Sequence, residues 1–228
     1  MNAAAAEPTG ERIRVVLATH NAHKVAEFQQ ILGLALPWLE IIAYDGPEPV
    51  EDGISFAENA LIKARTASEH SGLPALADDS GVCVDVLGGA PGIFSARWSG
   101  RHGDDQANLT LLLEQLADVR DENRAAHFTA TIALVVPALR TQPAALAQPG
   151  TASETVVEGI WPGSIARAAR GANGFGYDPI FVPAGSAVTS AELSADQKSA
   201  QSHRARAFQQ IIPALRSLAT ETAGNRAE

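Results

Sequence analysis

The chain has 228 residues, of which 46% are hydrophobic and 19% are charged, a globular composition that excludes a disordered or fibrous protein. Its formal net charge of −9 argues against a surface that holds a nucleic-acid polymer, and no stretch approaches the ~18 apolar residues of a membrane span. A single cysteine, Cys83, excludes an internal disulfide, and the N-terminus lacks a signal-peptide pattern, so we expect a cytoplasmic protein.

The first half of the chain predicts strands that alternate with helices. The apolar run 13–18 is typical of a buried strand that leads into an amphipathic helix, and 39–44 predicts a second strand. A capping box, Ser55 with Glu58, begins the next helix, which ends at Gly72. This alternation indicates an α/β fold.

The stretch ADDSG, residues 77–81, follows a short apolar run and places two carboxylates side by side. Asp, Ser and Gly favour turns, so we expect a turn here, with a strand resuming at 82–86. In a strand, Asp78 and Asp79 would instead point to opposite faces.

The second half predicts a helix over 104–116, an antiparallel strand pair at 127–136 and 154–163, and a helical region over 195–218. An Ala- and Pro-rich surface loop separates the two strands. Pro213 should kink or weaken the last helix. We expect a single domain over residues 12–219, with flexible tails at 1–11 and 220–228.

Residues 18–24, ATHNAHK, join the first strand to the first helix. The backbone N–H groups of a helix start, its dipole and Lys24 together suit an anion. The stretch is no P-loop, because GxxxxGK[ST] is absent. The alternative is that Asn21 is merely the helix N-cap.

Acidic residues supply a candidate metal site. Asp78 and Asp79 have Glu48, Glu51 and Glu58 upstream, and hard oxygen ligands of this kind suit Mg²⁺. Glu58 is already explained as the capping-box partner, which leaves Glu51 as the better second ligand. Glu48 and Glu51 are otherwise ordinary loop acids.

Two later stretches suit a flat, polar ligand. In GFGYD, glycines around Phe175 let the ring lie against a ligand, and Asp178 offers an acceptor; alternatively, Phe175 and Tyr177 fill the core. In KSAQSHR, Lys198 and His203 would sit ~140° apart on one unbroken helix. A break at Ser202, a competent N-cap, would bring both residues round one site, although a solvated helix face is equally compatible.

Lysine is scarce, since only Lys24, Lys63 and Lys198 occur among 17 basic residues. Where arginine serves as the general cation, a remaining lysine hints at a position that needs a compact point charge. Two of the three lie in the stretches above, and Lys63 lies on the capped helix between them. Together these stretches describe a nucleotide enzyme.

Five stretches closely resemble, in order, the inosine/xanthosine triphosphate pyrophosphatase family: VLATHNAHKVAEF, SFAENALIKA, ADDSGVCVDVLGGAPGIFSARWSG, GFGYDPIFVP and AELSADQKSAQSHRARA. The resemblance runs from about Arg14 to Leu218. It implies an elongated, two-lobed mixed sheet flanked by helices, an active site in the cleft between the lobes, and usually a homodimer. It also implies Mg²⁺-dependent hydrolysis of (d)ITP and XTP to the monophosphate and pyrophosphate.

The resemblance assigns roles to residues of this chain. The triphosphate would be held by Thr19, His20, Asn21, Ala22, His23 and Lys24, with Lys63 added as a substrate ligand. Asp79 would be the general base and a metal ligand, with Ser80 beside it at the substrate. Glu51 would also bind the metal, and Asp78 would bind its outer shell or brace the turn. The nucleotide would contact Phe175, Gly176, Tyr177 and Asp178, and the base would contact Lys198, His203 and Arg204.

The chain departs from the family at two places. His20 stands where glycine is common, which would narrow the phosphate cradle or add a donor, and the Ala- and Pro-rich insertion near residues 138–153 is longer than expected. Two other functions compete with pyrophosphohydrolysis. One is a nucleotide sensor that binds without turnover, which the clustered carboxylates disfavour; the other is a phosphatase of sugar or nucleoside monophosphates.

Overall fold

The computed structural model describes residues 12–138 and 152–224. The strands are β1 (Ile13–Leu17), β2 (Leu39–Ala43), β3 (Ala75–Val84), β4 (Ala125–Val136), β5 (Ser153–Ile165) and β6 (Phe181–Pro183). The α-helices are α1 (Ala22–Ala35), α2 (Phe56–Ser71), α3 (Asp105–Gln115), α4 (Ala195–Gln201) and α5 (His203–Gly224). Across the described ranges, no helix has the length and apolar character needed to cross a membrane.

The strands form one mixed sheet in the order β2-β1-β3-β4-β5-β6. β1 runs parallel to β2 and to β3, whereas the β3–β4, β4–β5 and β5–β6 pairs are antiparallel. Parallel neighbours need long crossover connections, and α1 and α2 supply them. The expected α/β class, with a mixed sheet flanked by helices, is therefore confirmed.

Two hydrophobic cores lie at different positions along the long strands β3 and β4. The first packs Leu76 and Ile132 with apolar side chains of α1 and α5. The second packs Val82 and Phe128 with side chains of α3 and the β6 region. The polar residues of β3, starting at Asp78, therefore lie between the two cores.

The expected turn at 77–81 is wrong, because β3 runs through it without interruption. Asp78 pairs with Ile132 of β4 and Asp79 pairs with Thr131, so the ladder outweighs the local preference of Asp, Ser and Gly. Glycine at position 81 instead allows the segment that contains Ser95 to lie close against β3. A Cβ there would lie 2.4 Å from Ser95 Oγ, closer than real side chains allow.

The ends of α2 match their sequence signals. Ser55 Oγ accepts a hydrogen bond from the Glu58 N–H at 3.2 Å, and Gly72 ends the helix with φ +69°. The Glu58 carboxylate accepts from the Ile54 N–H at 2.8 Å, one residue before the one a capping box uses. The Glu58 carboxylate is thus hydrogen-bonded to the backbone at the start of α2.

The C-terminal helical region breaks at Ser202, whose backbone is extended. Ser202 Oγ accepts from the Ala205 N–H at 3.2 Å and so caps α5, as the sequence predicts. α5 continues through Pro213 because Phe208, Ile211 and Leu215 are buried against the sheet. The helix also continues past residue 219, where a tail was expected.

Two expectations fall wholly or partly on residues that the structure does not describe. Residues 1–11 and 225–228 of the expected tails lie outside the described ranges, as do residues 139–151 of the Ala- and Pro-rich loop. The domain limits stay a prediction.

Candidate active site

A cleft of about 710 Å³ opens at the polar middle of β3. It gathers side chains from segments far apart in the chain. Of the residues selected from the sequence, these line it: Thr19, Asn21, Lys24, Glu48, Glu51, Lys63, Asp78, Asp79, Ser80, Phe175, Gly176, Tyr177, Asp178, Lys198, His203 and Arg204. All three lysines of the chain are among them.

Asp78 faces α1 and is held by a buried ion pair. Lys24 Nζ lies 2.9 Å and 3.0 Å from its two carboxylate oxygens, and the Asp78 side chain is 8% exposed. Burial alone would raise the pKa of Asp78, but Lys24 and Arg204 outweigh it and hold the pKa below its ordinary value. Asp78 therefore stays ionised.

Asp79 faces α2 and has different surroundings. Its Oδ1 accepts from the Ser80 N–H at 3.0 Å and lies 3.8 Å from Lys63 Nζ, while Lys63 Nζ lies 3.0 Å from Glu51 Oε1. Burial raises the pKa of Asp79, and the negative charge of Glu51 raises it further. A carboxylate with a raised pKa is a better proton acceptor.

Glu51 and Asp79 form the acid pair that fits a divalent cation. They flank one lysine, and the charge of Glu51 adds to burial in raising the pKa of Asp79, a repulsion that a cation would relieve. Mg²⁺ binds through one or two carboxylates and completes its shell with water and phosphate. No cluster of three His, Cys, Asp or Glu suited to a metal occurs in the described ranges. Asp78 does not join the pair, because it lies on the other face against Lys24.

The start of α1 lines the cleft as expected. Thr19 Oγ1 accepts from the Asn21 N–H at 3.2 Å, and Asn21 Oδ1 accepts from the Lys24 N–H at 3.4 Å. Asn21 therefore caps the helix and also faces the cleft, so the two interpretations of this residue do not exclude each other. The helix N-terminus places its positive dipole end at this side of the cleft.

Two described residues of the expected phosphate cradle, His20 and Ala22, do not line the cleft. The ring nitrogens of His20 lie 3.0 Å from Glu48 Oε1 and 3.0 Å from Gly46 O, and its ring stacks on Tyr44. His20 thus braces the loop after β2 instead of narrowing the cradle. Ala22 is exposed at the start of α1, and the side chain of His23 is outside the described part of the structure.

The two aromatic residues of GFGYD separate. Phe175 is 60% exposed at the cleft, whereas Tyr177 is buried and donates its hydroxyl proton to Ser95 O at 2.9 Å. Asp178 is also buried. It accepts from the Phe175 N–H at 2.9 Å and from Lys198 Nζ, so it holds the loop in shape and does not act as a free acceptor.

The break at Ser202 brings Lys198, His203 and Arg204 round one site, as predicted. Lys198 Nζ lies 5.6 Å and Arg204 Cζ 5.3 Å from the Phe175 ring centroid, and Arg204 donates to Ser80 Oγ at 3.3 Å. His203 is buried. Burial and the adjacent Arg204 and Lys198 lower its pKa well below the ordinary value, so the imidazole is neutral.

A family model described as the Ham1 family matches residues 15–214. The chain belongs to the Ham1 family. It is 66% identical to a dITP/XTP pyrophosphatase of Leifsonia xyli over 90% of this chain and 97% of that protein. It is 50% identical to one of Streptomyces coelicolor over 90% of this chain and 98% of the relative.

Solved structures of Ham1 proteins share the fold. The crystal structure of the nucleoside-triphosphatase / dITP/XTP pyrophosphatase of Mycobacterium abscessus aligns with a TM-score of 0.72 at 47% identity, over 88% of this chain and all of that one. The Ham1 protein of Staphylococcus aureus aligns with a TM-score of 0.75 at 33% identity, over 90% and 98% of the two chains.

The sequence reasoning missed one wall of the cleft in this Ham1 protein. Residues after β3 contribute Ser95, Arg97, His102 and Asp105. Ser95 Oγ accepts from the Val82 N–H at 3.0 Å and thereby fixes this wall to β3. The closely spaced glycines of residues 88–103 were the available signal, because they mark a long irregular segment between two elements.

Proposed function

We propose that this protein is a nucleoside triphosphate pyrophosphohydrolase, which converts ITP, dITP and XTP to the monophosphate and pyrophosphate. Relatives covered over nearly their whole length carry the name dITP/XTP pyrophosphatase. The observation that carries the proposal is the position of Asp79. This acid has a raised pKa and lies in a cleft between a cationic helix start and an aromatic platform with two cations.

The phosphates bind at the start of α1 and at the lysines. Lys24, the N-terminus of α1 and Lys63 supply positive charge where a triphosphate needs it. Lys24 and Lys63 are each paired with an acid in this structure. A bound triphosphate therefore shares cations with Asp78 and Glu51.

Asp79 accepts the proton of the attacking water through Oδ1, the oxygen that lies beside Lys63. The proton goes to the carboxylate as the water oxygen attacks the α-phosphorus, and pyrophosphate leaves with the bonding electrons. Lys24 and Lys63 stabilise the charge on the leaving group. Ser80, held by Arg204, lies between this acid and the base site.

Glu51 and Asp79 would hold Mg²⁺. The ion, when bound, supplies Lewis-acid polarisation of the phosphate oxygens. Lys63 now lies between Glu51 and Asp79. With the cation bound to these acids, its ammonium would be free to contact the phosphates. The raised pKa of Asp79 supports this assignment, since a cation relieves the repulsion between the two acids.

The base lies against the exposed ring of Phe175, next to Lys198 and Arg204. Both cations donate hydrogen bonds, so they suit the 6-oxo group of hypoxanthine or xanthine and not the 6-amino group of adenine. Neutral His203 stacks on Phe128 and closes the back of this region.

In this proposal the nucleoside triphosphate is the small-molecule partner. The protein binds neither a nucleic-acid polymer nor a membrane. A homodimer and a cytoplasmic location complete the proposal. The family resemblance supports the dimer, and the single, buried cysteine is compatible with a reducing compartment. Light scattering of the purified protein tests the dimer directly.

Incubation with ITP, XTP, ATP and GTP in Mg²⁺ tests the activity. We expect ITP and XTP to yield pyrophosphate and the monophosphate, with slow turnover of ATP. Release of orthophosphate would indicate a phosphatase, and binding of ITP without turnover would indicate a sensor. Inosine monophosphate, added as a substrate, is the matched control and should remain intact.

A further inference from the structure

Unpaired polar atoms concentrate behind Asp79. In residues 12–138 and 152–224, four buried side-chain atoms lack a hydrogen-bond partner: Asn59 Nδ2, Asp79 Oδ2, Thr131 Oγ1 and His203 Nδ1. The first three belong to Asp79, to Thr131 opposite it in the β3–β4 ladder, and to Asn59 on α2. Native proteins pair nearly all buried polar groups, so three exceptions at one place need an explanation.

Asn59 links the two acids of the site. It is fully buried on α2, and its Oδ1 accepts from the N–H of Gly53, two residues after Glu51, at 3.0 Å. A Cβ on Gly53 would lie 2.7 Å from that same oxygen, so the loop can approach only as glycine. The Asn59 amide lies near enough to Asp79 to lower the pKa of that acid, although Nδ2 makes no hydrogen bond of normal distance and angle in the structure. One amide therefore acts on the Glu51 loop and on Asp79.

Thr131 reaches the same carboxylate from the neighbouring strand. It lies directly opposite Asp79 in the β3–β4 ladder, and residues so paired have Cβ atoms about 4.5–5.5 Å apart on one face of the sheet. Its side chain is 1% exposed. The hydroxyl is a donor with no described acceptor, and Asp79 Oδ2 is an acceptor with no described donor.

We propose that Asn59 and Thr131 are positioning residues for Asp79. Their amide and hydroxyl hold Oδ2 on the buried side, which fixes the plane of the carboxylate. Oδ1, bound by the Ser80 N–H and next to Lys63, is then the oxygen presented to the cleft. This inference rests on the proposed function, because turnover reports the orientation of Asp79.

Thr131→Val tests the proposal, because it keeps the side-chain shape and removes the hydroxyl. We expect kcat for ITP to fall about 10-fold or more with KM nearly unchanged, since the phosphates and the base are bound elsewhere. Thr131→Ser should restore most of the turnover. Thermal unfolding of both variants checks that the fold is kept at the assay temperature.

Thr129→Val is the matched control. Thr129 is also buried on β4, two residues away, but it lies opposite Gly81 and not Asp79. It should keep wild-type kcat. Equal losses in the two variants, or a Thr131→Val variant with wild-type kcat, would overturn the role of Thr131.

A second arm tests Asn59 and coupling to the acid. Asn59→Leu keeps the approximate volume and should lower kcat about 10-fold or more. Thr131→Val should not lower the residual rate of Asp79→Asn further, because its hydroxyl acts through Asp79 alone. An additional loss in that background would show that Thr131 acts elsewhere, and wild-type kcat in Asn59→Leu would remove Asn59 from the proposal. A wild-type protein that releases no pyrophosphate from ITP would instead overturn the proposed function itself.

Discussion

Asp78 and Asp79, adjacent in the chain, lie on opposite faces of β3, and each meets a different lysine. Lys24 and Arg204 hold the pKa of Asp78 low against its burial, whereas burial and Glu51 raise the pKa of Asp79. The strand alternation thus gives two identical side chains opposite electrostatic surroundings. One carboxylate is a fixed counter-ion and the other is available for chemistry.

Asp79→Asn should abolish most turnover and leave the fold intact. Asparagine keeps the shape but cannot accept the proton, so we expect kcat for ITP to fall roughly 10²-fold or more. Because burial disfavours the charge of Asp79, its removal should not lower the free energy of unfolding at pH 7. Pyrophosphate release and thermal unfolding in a metal-free buffer check both halves.

Asp78→Asn should lower stability more than it lowers turnover. It leaves the partly buried Lys24 without its counter-ion, so we expect the free energy of unfolding to fall by about 1–3 kcal/mol. Turnover at a temperature where the variant is folded should fall less than in Asp79→Asn. Equal, mild kinetic losses in both variants would mean that the acids are wrongly assigned.

Lys24→Ala should weaken the binding of the triphosphate and leave the binding of the bare nucleoside unchanged. Lys24 lines the cleft near the start of α1, where the phosphates are proposed to bind. We therefore expect KM for ITP to rise about 10-fold or more while the affinity for inosine stays constant. Arg65→Ala is the control, because Arg65 pairs with Glu154 and does not line the cleft. Unchanged ITP kinetics in Lys24→Ala would contradict the anion site.

Arg204→Ala should narrow the discrimination between ITP and ATP. Arg204 donates to Ser80 and lies over Phe175, where a 6-oxo group would accept from it. A donor facing the amino group of adenine leaves polar groups unpaired, at about 1–3 kcal/mol each. We expect kcat/KM to fall much more for ITP than for ATP. A proportional loss on both would place Arg204 at the phosphates or in the fold.

His203 should make stability depend on pH. The unfolded chain takes up a proton on this residue near pH 6.5, but the folded chain resists it because of burial, Arg204 and Lys198, with Asp78 acting in the opposite direction. Its contribution is complete above pH 6.5 and is lost below it, by about 1.4 kcal/mol per pH unit at most. His203→Leu should flatten the slope of unfolding free energy between pH 6.5 and 5. Identical slopes would contradict a buried neutral imidazole.

Local signals in the sequence were sufficient to place the helix starts that border the cleft. The caps at Ser55 and Ser202, and the start of α1 at Asn21, are short-range features that depend on neighbouring residues alone. They set where α1, α2 and α5 begin. The break at Ser202 is why the sequence could place Lys198, His203 and Arg204 round one site, whereas their meeting with Lys24 and Lys63 was expected from the family resemblance.

Long-range contacts decided what the sequence could not show. β3 passes through ADDSG because β4 supplies a partner for each residue, and no local preference reveals that ladder. Tyr177 is buried and Phe175 exposed because Ser95, far away in the chain, accepts the tyrosine hydroxyl. His20 likewise contacts Glu48 and Gly46, which lie beyond β2 in the chain, and no local pattern predicts these contacts.

Because all three lysines line one cleft, the side-chain amino groups that amine reagents can modify are concentrated there. Apart from the amino terminus, Lys24, Lys63 and Lys198 are its only primary amines, since arginine provides all its other permanent positive charges. Within the folded domain, reagents that acylate or reductively methylate amines therefore have targets only in this cleft. Such labelling should inactivate the protein if the cleft binds the substrate, and a bound nucleotide should protect it.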